Sequence, residues 1–358
     1  MMKHLLHILL WSLSTLVAGL LLLLGLFWIR EWRPAPVEVL DTAAIADNEP
    51  VLRRGDTVRI VSWNIGYAGL GNDMDFFYDG GKRMRTSQAR TVENLQRILR
   101  FLQRRTADSA RVDFILLQEV DLDSRRSYGI NEYDSLRRAL PGYESWMGLN
   151  YVADFVPIPL TDPMGRVKGG VATFSRWRPE RVVRYGYPSG FSFPMRLFNL
   201  KRCLLSAAIP VRDTATGQLD TLFVNNTHNT AYDTGDMRSR ELAFLRNYLS
   251  DKPYSITAGD WNSCPPGYRP SRAALQDAHF RPFPIGQTDF PSDLRFVYDS
   301  RTPSVRYDYE PYRAGSTTTT VVDFALCGPG VEAVGCETID LEFKNSDHNP
   351  VVATFVIR

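Results

Sequence analysis

The sequence predicts an α/β fold, a four-layer sandwich of two packed mixed β-sheets flanked by helices and preceded by one transmembrane helix. It is predicted by an uncharged apolar N-terminal run, by an early alternation of strand, helix and strand, and by a later series of apolar strands separated mainly by turns. Several strands with few helices between them are typical of two sheets packed face to face. The composition, 44% hydrophobic and 23% charged, is that of a folded protein.

The N-terminal run predicts a membrane anchor over residues 1–30. From Leu5 to Ile29 there is no Asp, Glu, Lys or Arg, and a helix of that length spans roughly 37 Å, enough to cross the hydrocarbon core. A cleaved signal peptide has a shorter apolar core, about 7–15 residues, and a small-residue cleavage site, whereas this run ends in "FWIREWR". We therefore predict an uncleaved single-pass anchor rather than a cleaved signal, with Trp28 and Trp32 in the interfacial belt.

Charge and cysteine content bear on the compartment. Lys3 and the amino terminus on one side of the anchor nearly balance Arg30 and Arg33 on the other. We expect the large C-terminal part to be exported to the periplasmic or extracellular side. None of the four cysteines shows zinc-ligand spacing. Cys327 and Cys336 flank "GPGVEAVG", so they are predicted either to meet across a hairpin as a disulfide or to be two buried thiols.

The rest of the chain is predicted to be a linker and one domain. Residues 31–56 contain Pro, Ala and mixed charge without periodicity, which is typical of a tether. Residues 57–358 show no internal repeat or low-complexity tract, so one large domain is the simplest interpretation. The net charge of +2 is too small to indicate an extended nucleic-acid-binding surface, so any basic surface must be local.

The elements of this domain follow from apolar spacing. "TVRIVSWN" is a strand, "SQARTVENLQRILRFLQ" has apolar side chains at helical spacing, and "VDFILLQE" is a nearly all-apolar strand, as expected when both faces are covered. Then come the strands "GGVATFSR", "RCLLSAAIPV" and "DTLFVNNTH", the helix "MRSRELAFLRNYL" and the strand "YSITAGD". "TTVVDFALC" and "PVVATFVIR" close the chain as strands.

Apolar strands repeatedly end in the same few polar residue types. Loops at strand ends are where α/β folds build their sites. Most of these residues alone have an ordinary explanation as a turn cap, a surface acid or an Asx turn, but Asp323 lies inside an apolar run, where a carboxylate needs a partner. Of the five histidines, two follow strands in matched settings, "THN" and "DHN", and His279 is predicted to be structural. The candidate site residues are Asn64, Glu119, His228, Asp260, Asn262, Asp323, Asp347 and His348.

These residues and their order resemble the endonuclease/exonuclease/phosphatase superfamily, which includes deoxyribonucleases, neutral sphingomyelinases and inositol polyphosphate phosphatases. The resemblance covers Val58 to Arg358 and is carried by "SWNIG", "LLQEVD", "NNTHN", "GDWN", "VDFAL" and "SDHNPV". One short pattern such as G-D-x-N is weak, but the whole series in the family's order is specific. The resemblance implies hydrolysis of a phosphodiester with a divalent cation and without a covalent intermediate, so Cys264 is predicted to be a structural thiol.

The resemblance also implies a role for each residue. Glu119 is similar to the principal ligand of Mg²⁺ or Mn²⁺, Asn64 to its neighbour that polarises or ligates through the amide oxygen, and Asp347 to a further metal or water contact. Asp260 and Asn262 are similar to the pair that orients the attacking water and holds the phosphate. His348 is similar to the histidine that contacts the phosphate, with Asp323 fixing its tautomer, and His228 to a second histidine. Which histidine donates the proton stays open.

The features that bear on the substrate leave alternatives open. Arg125 and Arg126 follow Glu119 and are predicted either to grip a flanking phosphate or to be a solvated pair. The segment Arg184 to Arg202, which contains Arg196, is predicted to stack bases, to dip into a membrane surface or to cover a sheet edge. Asp79 is interpreted as loop structure.

The preferred function is a membrane-tethered, metal-dependent, nuclease-like phosphodiesterase that acts on nucleic acid as a monomer. The alternative is the same chemistry on a phospholipid or a small phosphorylated molecule, which the membrane anchor favours. A catalytically idle, tethered binding module is the third reading. The full set of candidate residues argues against it, because an idle member is expected to have lost one of them.

Overall fold

The computed structural model describes residues 2–43, 50–107, 111–233, 235–278, 280–281 and 283–358. His279 lies outside the described residues, so its predicted structural role is untested. Short 3-10 helices occur at Gly66–Ala68, Phe77–Asp79 and Met195–Leu197. The α-helices of the described part are α1 (Met2–Ile29), α2 (Gln88–Ala107), α3 (Glu132–Ala139), α4 (Met237–Leu249) and α5 (Arg272–Gln276).

The strands form two large mixed sheets and two small two-stranded ones. In chain order they are β1 (Val37–Leu40), β2 (Leu52–Arg53), β3 (Thr57–Asn64), β4 (Phe114–Asp121), β5 (Glu144–Val156), β6 (Gly165–Ser175), β7 (Arg181–Gly186), β8 (Cys203–Arg212), β9 (Leu219–His228), β10 (Ser255–Asp260), β11 (Ser263–Cys264), β12 (Phe283–Pro284), β13 (Arg295–Val297), β14 (Val305–Arg306), β15 (Thr319–Thr320), β16 (Asp323–Cys327), β17 (Val331–Thr338) and β18 (Val351–Ile357).

The two large sheets place parallel neighbours at their centres. The six-stranded sheet has the order β17-β18-β3-β4-β6-β5, in which β3 and β4 are parallel. The eight-stranded sheet has the order β1-β7-β8-β9-β10-β16-β13, with β2 paired to β8, and here β9 and β10 are parallel. The remaining two-stranded sheets are β11-β12 and β14-β15.

The alternation of side chains along the strands produces the four layers. Ile60 and Phe114 of the six-stranded sheet belong to the same buried cluster as Val224 and Ile256 of the eight-stranded sheet, so the two sheets pack face to face. Residues of opposite parity, such as Trp63, join the apolar face of α2 in a second cluster. The helix α4 covers the other sheet in a third cluster. The predicted four-layer α/β sandwich is confirmed.

The predicted linker, residues 31–56, contains two short edge strands that the sequence did not indicate. Val37–Leu40 pairs antiparallel with β7, with Val37 opposite Tyr185, and Leu52–Arg53 pairs parallel with β8. Residues 44–49 of the predicted linker lie outside the described part of the chain. An edge strand is held by backbone hydrogen bonds on one side only, and short edge strands are common. Such a segment needs little apolar periodicity, which is why the sequence did not indicate it.

The two alternatives for Cys327 and Cys336 are also decided. Both are free thiols. Cys327 ends β16 in the eight-stranded sheet, whereas Cys336 lies on β17 in the six-stranded sheet, so the segment between them crosses from one sheet to the other rather than closing a hairpin. Cys264 is buried, and burial raises the pKa of its thiol to about 11, as suits a structural residue.

The helix α1 has the length and apolarity of a membrane span or of a signal sequence. Its most apolar window has a mean hydropathy of 2.3, and none of that window is buried against the domain. Only its last turn makes ring contacts with the domain, where Phe27 meets Phe155 and Phe198. Most of α1 is therefore an exposed apolar helix, which is stable in an apolar environment such as a lipid bilayer.

Candidate active site

One edge of the sandwich collects the predicted site residues. Asn64 ends β3, Glu119 lies near the end of β4, and His228 and Asp260 end the parallel strands β9 and β10. Asp323 begins the antiparallel strand β16 and therefore lies opposite Asp260 at the same edge. Because parallel strands end on one side of a sheet, these side chains meet in one cleft. The cleft is lined by Glu119, His228, Asp260, Asn262, Asp347 and His348 among others.

Asp260 is a buried carboxylate held in place by amide groups. Its Oδ2 accepts hydrogen bonds from Asn64 Nδ2 at 3.0 Å and from Asn262 Nδ2 at 3.1 Å, and its Oδ1 accepts one from the backbone N–H of Asn262 at 2.9 Å. Gly259 is required before it, since a Cβ there would lie 1.9 Å from the backbone oxygen of Thr227. Burial raises the pKa of Asp260, and the neighbouring His348 opposes that rise.

His348 is paired with Asp323. Its Nδ1 donates to Asp323 Oδ2 at 2.7 Å, and both side chains are buried. Its Nε2 lies 3.8 Å from Asp260 Oδ2 and 3.9 Å from Asp347 Oδ2. Burial alone lowers the pKa of His348, but these carboxylates outweigh it and hold the pKa well above its ordinary value. His348 is therefore a cation whose Nε2–H points into the cleft.

His228 differs from His348 in charge. Its Nε2 lies 3.4 Å from Asp260 Oδ2 and 3.8 Å from Glu119 Oε1, while its buried Nδ1 has no hydrogen-bond partner among the described residues. Burial, and then the positive charge of Arg202, lowers the pKa of His228 well below its ordinary value. The ring is therefore neutral, and its single N–H is best placed on Nε2, facing the carboxylates.

A β-bulge aims Glu119 at the cleft. The pairing of β4 with β6 shifts register between Leu117 and Val120, and Glu119 has a φ of +52°. Such a bulge re-aims a side chain beside a site. The preceding residue, Gln118, points toward the other sheet instead and donates to Asn226 Oδ1 at 2.8 Å. Glu119 Oε1 accepts from Asn64 Nδ2 at 3.1 Å, and the side chain stays partly exposed to the cleft.

The amide of Asn64 is turned with its nitrogen toward the carboxylates. Its Nδ2 donates to both Glu119 and Asp260, and its Oδ1 accepts from the backbone N–H of Gly66 at 3.0 Å. Both partners fix this orientation, because a carboxylate needs a donor and an N–H needs an acceptor. In this arrangement Asn64 bridges the two carboxylates through its nitrogen. Its role as a metal ligand through the amide oxygen stays a prediction.

Carboxylates gather on the opposite wall of the cleft. Burial, and then the charges of Glu119 and Asp79, raises the pKa of Asp347 to about 6, against the effect of His348 and Arg306. Asp308 is buried beside them, and neither of its carboxylate oxygens has a hydrogen-bond partner among the described residues. Burial, and then the charge of Asp79, raises the pKa of Asp308 well above its ordinary value. The positive charges beside these carboxylates are His348 and Arg306.

Two sets of residues offer ligand atoms for a divalent cation. Asp260, Asp323 and His348 have ligand atoms within 4.8 Å of one another and form a candidate metal-binding triad. However, Asp323 and His348 are hydrogen-bonded to each other, and the His348 ring is cationic. Glu119 and Asp347 instead present carboxylate oxygens to the cleft, which is the donor chemistry that Mg²⁺ or Mn²⁺ prefers. The second set fits the cation better.

The predicted phosphate-gripping arginines are placed differently from one another. Arg126 lines the cleft, but it is buried, makes two hydrogen bonds to Asp121 at 3.1 and 2.9 Å and stacks over Tyr67. The structure does not place Arg125 or Arg196 in the cleft. Arg125 Nη2 bonds to Asp162 at 2.6 Å, and Arg196 Nε lies 3.4 Å from Glu31. For Arg125, adjacency to Glu119 in sequence does not fix the direction of the side chain after a bulge. A substrate-binding role for Arg125 and Arg196 stays a prediction.

Several cleft residues were missed by the sequence reasoning. Asp79, interpreted as loop structure, lies in the cleft and accepts from the hydroxyl of Tyr232. Arg202 donates to the backbone oxygen of His228 at 3.2 Å. Glu241 on α4 accepts from the backbone N–H and the hydroxyl of Thr230, and so fixes the loop after β9. No local sequence signal marks them, since each reaches the cleft through a contact distant in sequence.

The fold and the cleft define a class: an α/β sandwich whose sheet edge carries a buried Asp–His pair beside a clustered set of carboxylates. Residues 61–348 match the model of the Endonuclease/Exonuclease/phosphatase family, and the chain belongs to this family. Its members are phosphoester hydrolases, and the family depends on divalent metals. No curated protein matches the chain significantly.

Solved structures support the fold. The chain is similar to an endonuclease/exonuclease/phosphatase from Beutenbergia cavernae, with a TM-score of 0.57 and 18% identity over 85% of this chain and 72% of that one. Family proteins from Bacteroides thetaiotaomicron (TM-score 0.52, 12% identity, 85% of this chain and 96% of that one) and Bacteroides vulgatus (0.51, 15%, 85% and 100%) are also similar. At this identity the likeness concerns the fold alone.

Proposed function

We propose that the chain hydrolyses phosphoesters by direct attack of water, with a divalent cation as cofactor. The observation that carries this proposal is the buried Asp323–His348 pair, whose free Nε2–H faces the same space as Asp260. His348 Nε2 and the oriented carboxylate of Asp260 lie 3.8 Å apart. The cationic N–H can stabilise negative charge on the phosphate, and the carboxylate can orient the attacking water.

Glu119 and Asp347 would hold the cation, Mg²⁺ or Mn²⁺. When bound, a divalent cation there neutralises charge on the phosphate oxygens. The fit rests on oxygen donors and on the position of Asp347, whose pKa is raised to about 6 by burial and then by the charge of Glu119. Mg²⁺ is commonly bound by one or two carboxylates with several waters retained, so this small set is sufficient.

Asp260 is the residue that orients the attacking water. Its two oxygens are fixed by three N–H donors, so its free lone pairs point in defined directions. Asn262 is a positioning residue rather than the predicted phosphate-holding one. Its Nδ2 donates both to Asp260 and to the backbone oxygen of Asn229 at 2.9 Å, which uses both amide hydrogens.

The two histidines have separate tasks in this proposal. His348 carries the positive charge and presents it to the phosphate through Nε2, with Asp323 fixing the ring. His228 is neutral, and its Nε2 lies 3.4 Å from Asp260 Oδ2. We therefore assign the protonated, charge-stabilising role to His348, as the resemblance implies.

The charge of the cleft favours a compact phosphoester over an extended nucleic-acid strand. Each arginine that lines it is engaged: Arg126 with Asp121, Arg202 with the backbone of His228, and Arg306 with backbone oxygens such as that of Gly71. No lysine lines the described cleft, whereas several carboxylates do. A nucleic-acid strand is held mainly by free cationic groups along its phosphates, so the nuclease-like prediction is the less favoured one here.

The test is hydrolysis by the full-length chain purified in detergent, with Mg²⁺ or Mn²⁺. The substrates are bis(p-nitrophenyl) phosphate, single-stranded DNA and phospholipid. Asp260→Asn is expected to lower kcat by about 10³-fold, because an oriented base of this kind contributes that much. Asp251→Asn, at an exposed carboxylate, is the matched control and should keep full activity. If the wild-type chain hydrolyses no phosphoester, the proposal is wrong and the idle binding module is favoured. If Asp260→Asn stays fully active, the role assigned to Asp260 is wrong.

A further inference from the structure

The last turn of α1 lies against the same edge of the domain that carries the cleft. The ring of Phe27 is 5.2 Å from that of Phe198 and 6.5 Å from that of Phe155. Arg30 Nε donates to Asp154 Oδ2 at 2.6 Å. Asp154 and Phe155 are near the end of β5, and Phe198 lies shortly before β8 begins. The end of β5 and the start of β8 both belong to the cleft edge of their sheets.

These contacts fix the depth of the domain relative to α1. Arg30 is the first charged residue after the uncharged run, and Phe27 precedes it by three residues. That separation is about 4.5 Å along a helix axis. Phe155 and Phe198 therefore lie at the level of the last apolar turn, which is the level of the interfacial layer when α1 spans a bilayer.

Two loops at this edge expose large apolar side chains. We call them the rim loops: residues 157–164 between β5 and β6, and residues 187–202 between β7 and β8. Leu160 is 85% exposed, Phe193 52% and Met195 49%. Exposed large apolar side chains in two loops next to an apolar helix end are suited to contact with a membrane surface.

The second rim loop has an inner and an outer part. Arg184, on the strand β7 that leads into this loop, is 1% exposed. It donates to the backbone oxygens of Leu149 at 2.7 Å and Lys201 at 3.1 Å, so the base of the loop is fixed to the sheets. Phe193 and Met195 project from this fixed base. The segment thus covers a sheet edge at its base and presents apolar groups at its tip, which combines two of the alternatives that the sequence left open.

A groove connects the cleft to the end of α1. Phe191, Leu200 and Arg202 line both the cleft and a neighbouring groove that runs to Glu31 and Arg33. Basic side chains outnumber the one acidic side chain along that groove, and Arg33, Arg196 and Lys201 all pair with that acid, Glu31. The groove therefore keeps a net positive charge, which attracts anionic lipid headgroups next to a membrane helix. The groove residues with charge are Glu31, Arg33, Arg184, Arg196, Lys201 and Arg202.

We propose that the rim loops rest in the surface of the bilayer that holds α1, and that the cleft takes its phosphoester from the lipid headgroup layer. The chemistry in this inference rests on the proposed function, whereas the placement rests on α1 and the rim loops alone. The cleft then opens toward the bilayer, and a lipid headgroup reaches Asp260 along the groove without leaving the membrane.

The placement is tested without any activity measurement. The full-length chain with Cys336→Ser is reconstituted into phosphatidylcholine–phosphatidylglycerol vesicles, and a polarity-sensitive fluorophore is attached at Leu160→Cys. The other native thiols are buried. Leu219→Cys is the matched control, since Leu219 is 55% exposed but lies at the far end of β9 from the cleft. We expect spin-labelled lipid to quench the probe at position 160 and not at 219. Equal quenching at the two positions would overturn the placement.

The substrate class is tested by a ratio of activities. Hydrolysis of headgroups is measured in separate vesicles of phosphatidylcholine, phosphatidylglycerol or sphingomyelin, and hydrolysis of bis(p-nitrophenyl) phosphate is measured in solution. Leu160→Asp combined with Phe193→Asp should lower the ratio of lipid to soluble-diester turnover by about tenfold, because charged side chains leave the interface. Leu219→Asp should leave the ratio unchanged.

The failures of the two proposals are distinguishable. If the wild-type chain hydrolyses the soluble diester or single-stranded DNA but none of the lipids, or if the rim variant keeps the wild-type ratio, the lipid inference is wrong and the proposed function stands. If the chain hydrolyses no substrate at all, the proposed function fails, and the lipid-substrate part fails with it. The quenching experiment still decides the placement of the rim loops in that case.

Discussion

Replacement of Asp323 by asparagine separates the charge of this carboxylate from its shape. The amide oxygen of asparagine accepts the hydrogen bond from His348 Nδ1, which is 2.7 Å long in the wild-type structure, but it brings no negative charge. Asp323 is the largest of the charges that raise the pKa of His348. The variant therefore lowers that pKa, and the cationic form of His348 is lost at a lower pH.

The magnitude follows from the pair itself. A hydrogen bond to a charged group contributes about 1.5–3 kcal/mol, and each 1.36 kcal/mol of barrier is tenfold in rate. If His348 stabilises the transition state as a cation, Asp323→Asn lowers kcat by about 10- to 150-fold near neutral pH. KM should change less, because the charge matters most where negative charge develops on the phosphate.

The pH dependence has a defined sign. A histidine whose pKa is raised by folding stabilises the fold fully below its unfolded-state pKa of about 6.5, and this contribution is lost as the pH rises through the folded-state pKa. In the wild type that loss is expected well above neutrality. In Asp323→Asn both the loss of stability and the alkaline limb of kcat move to lower pH.

The assays are the pH profile of kcat at saturating metal and urea unfolding across the same pH range. Asp113→Asn is the control. Asp113 is also a buried carboxylate, bonded to Arg176 and Trp177, but it precedes β4 at the end away from the cleft. The Asp113→Asn variant should lose stability, but the alkaline limb of its kcat profile should stay at the wild-type pH. An Asp323→Asn variant with the wild-type pH profile and kcat would refute the assignment of the charge to His348.

Three further outcomes are expected. Glu119→Gln should abolish most of the rise in melting temperature that Mg²⁺ or Mn²⁺ gives the wild type, because a ligand that binds only the folded state stabilises it by mass action. Asn226→Leu should lower the free energy of unfolding by about 3–5 kcal/mol in urea titration, since it strands the buried partners Gln118, Leu117 and Ala172 across the two sheets. Arg125→Ala should leave kcat/KM within about twofold and cost less than about 1 kcal/mol, because its pair with an aspartate is partly exposed.

The sequence predicted the parts of the fold that depend on apolar periodicity. The helix "MRSRELAFLRNYL" coincides with α4, Met237–Leu249, and the strand "FILLQE" lies within β4. The apolar spacing on α2 also packs as predicted, with Leu95, Ile98 and Leu102 buried on one face. These elements bury their apolar groups against a sheet, so the spacing of apolar residues in the sequence predicts them.

What the sequence did not indicate depends on backbone pairing or on contacts distant in the chain. The edge strand β1 is held by its ladder to β7 rather than by a buried face. Asp79, Asp308 and Asp347 come from separate segments and come close together only in the folded chain. Composition and spacing do not indicate such long-range contacts, because each residue has an ordinary local explanation.

The candidate site lies where the backbone departs from the regular strand. Glu119 has a φ of +52° and Asn262 one of +47°, in a region that residues other than glycine rarely adopt. For glutamate this conformation costs on the order of 1–3 kcal/mol and persists only where the surroundings impose it. Here the bulge between β4 and β6 and the hydrogen bonds of Asn262 impose it, and both aim groups at Asp260 and its neighbours. Regular strands at these two positions would be easier to form, but they would point the Glu119 carboxylate and the Asn262 amide away from the cleft, which is why we interpret the strain as part of the site.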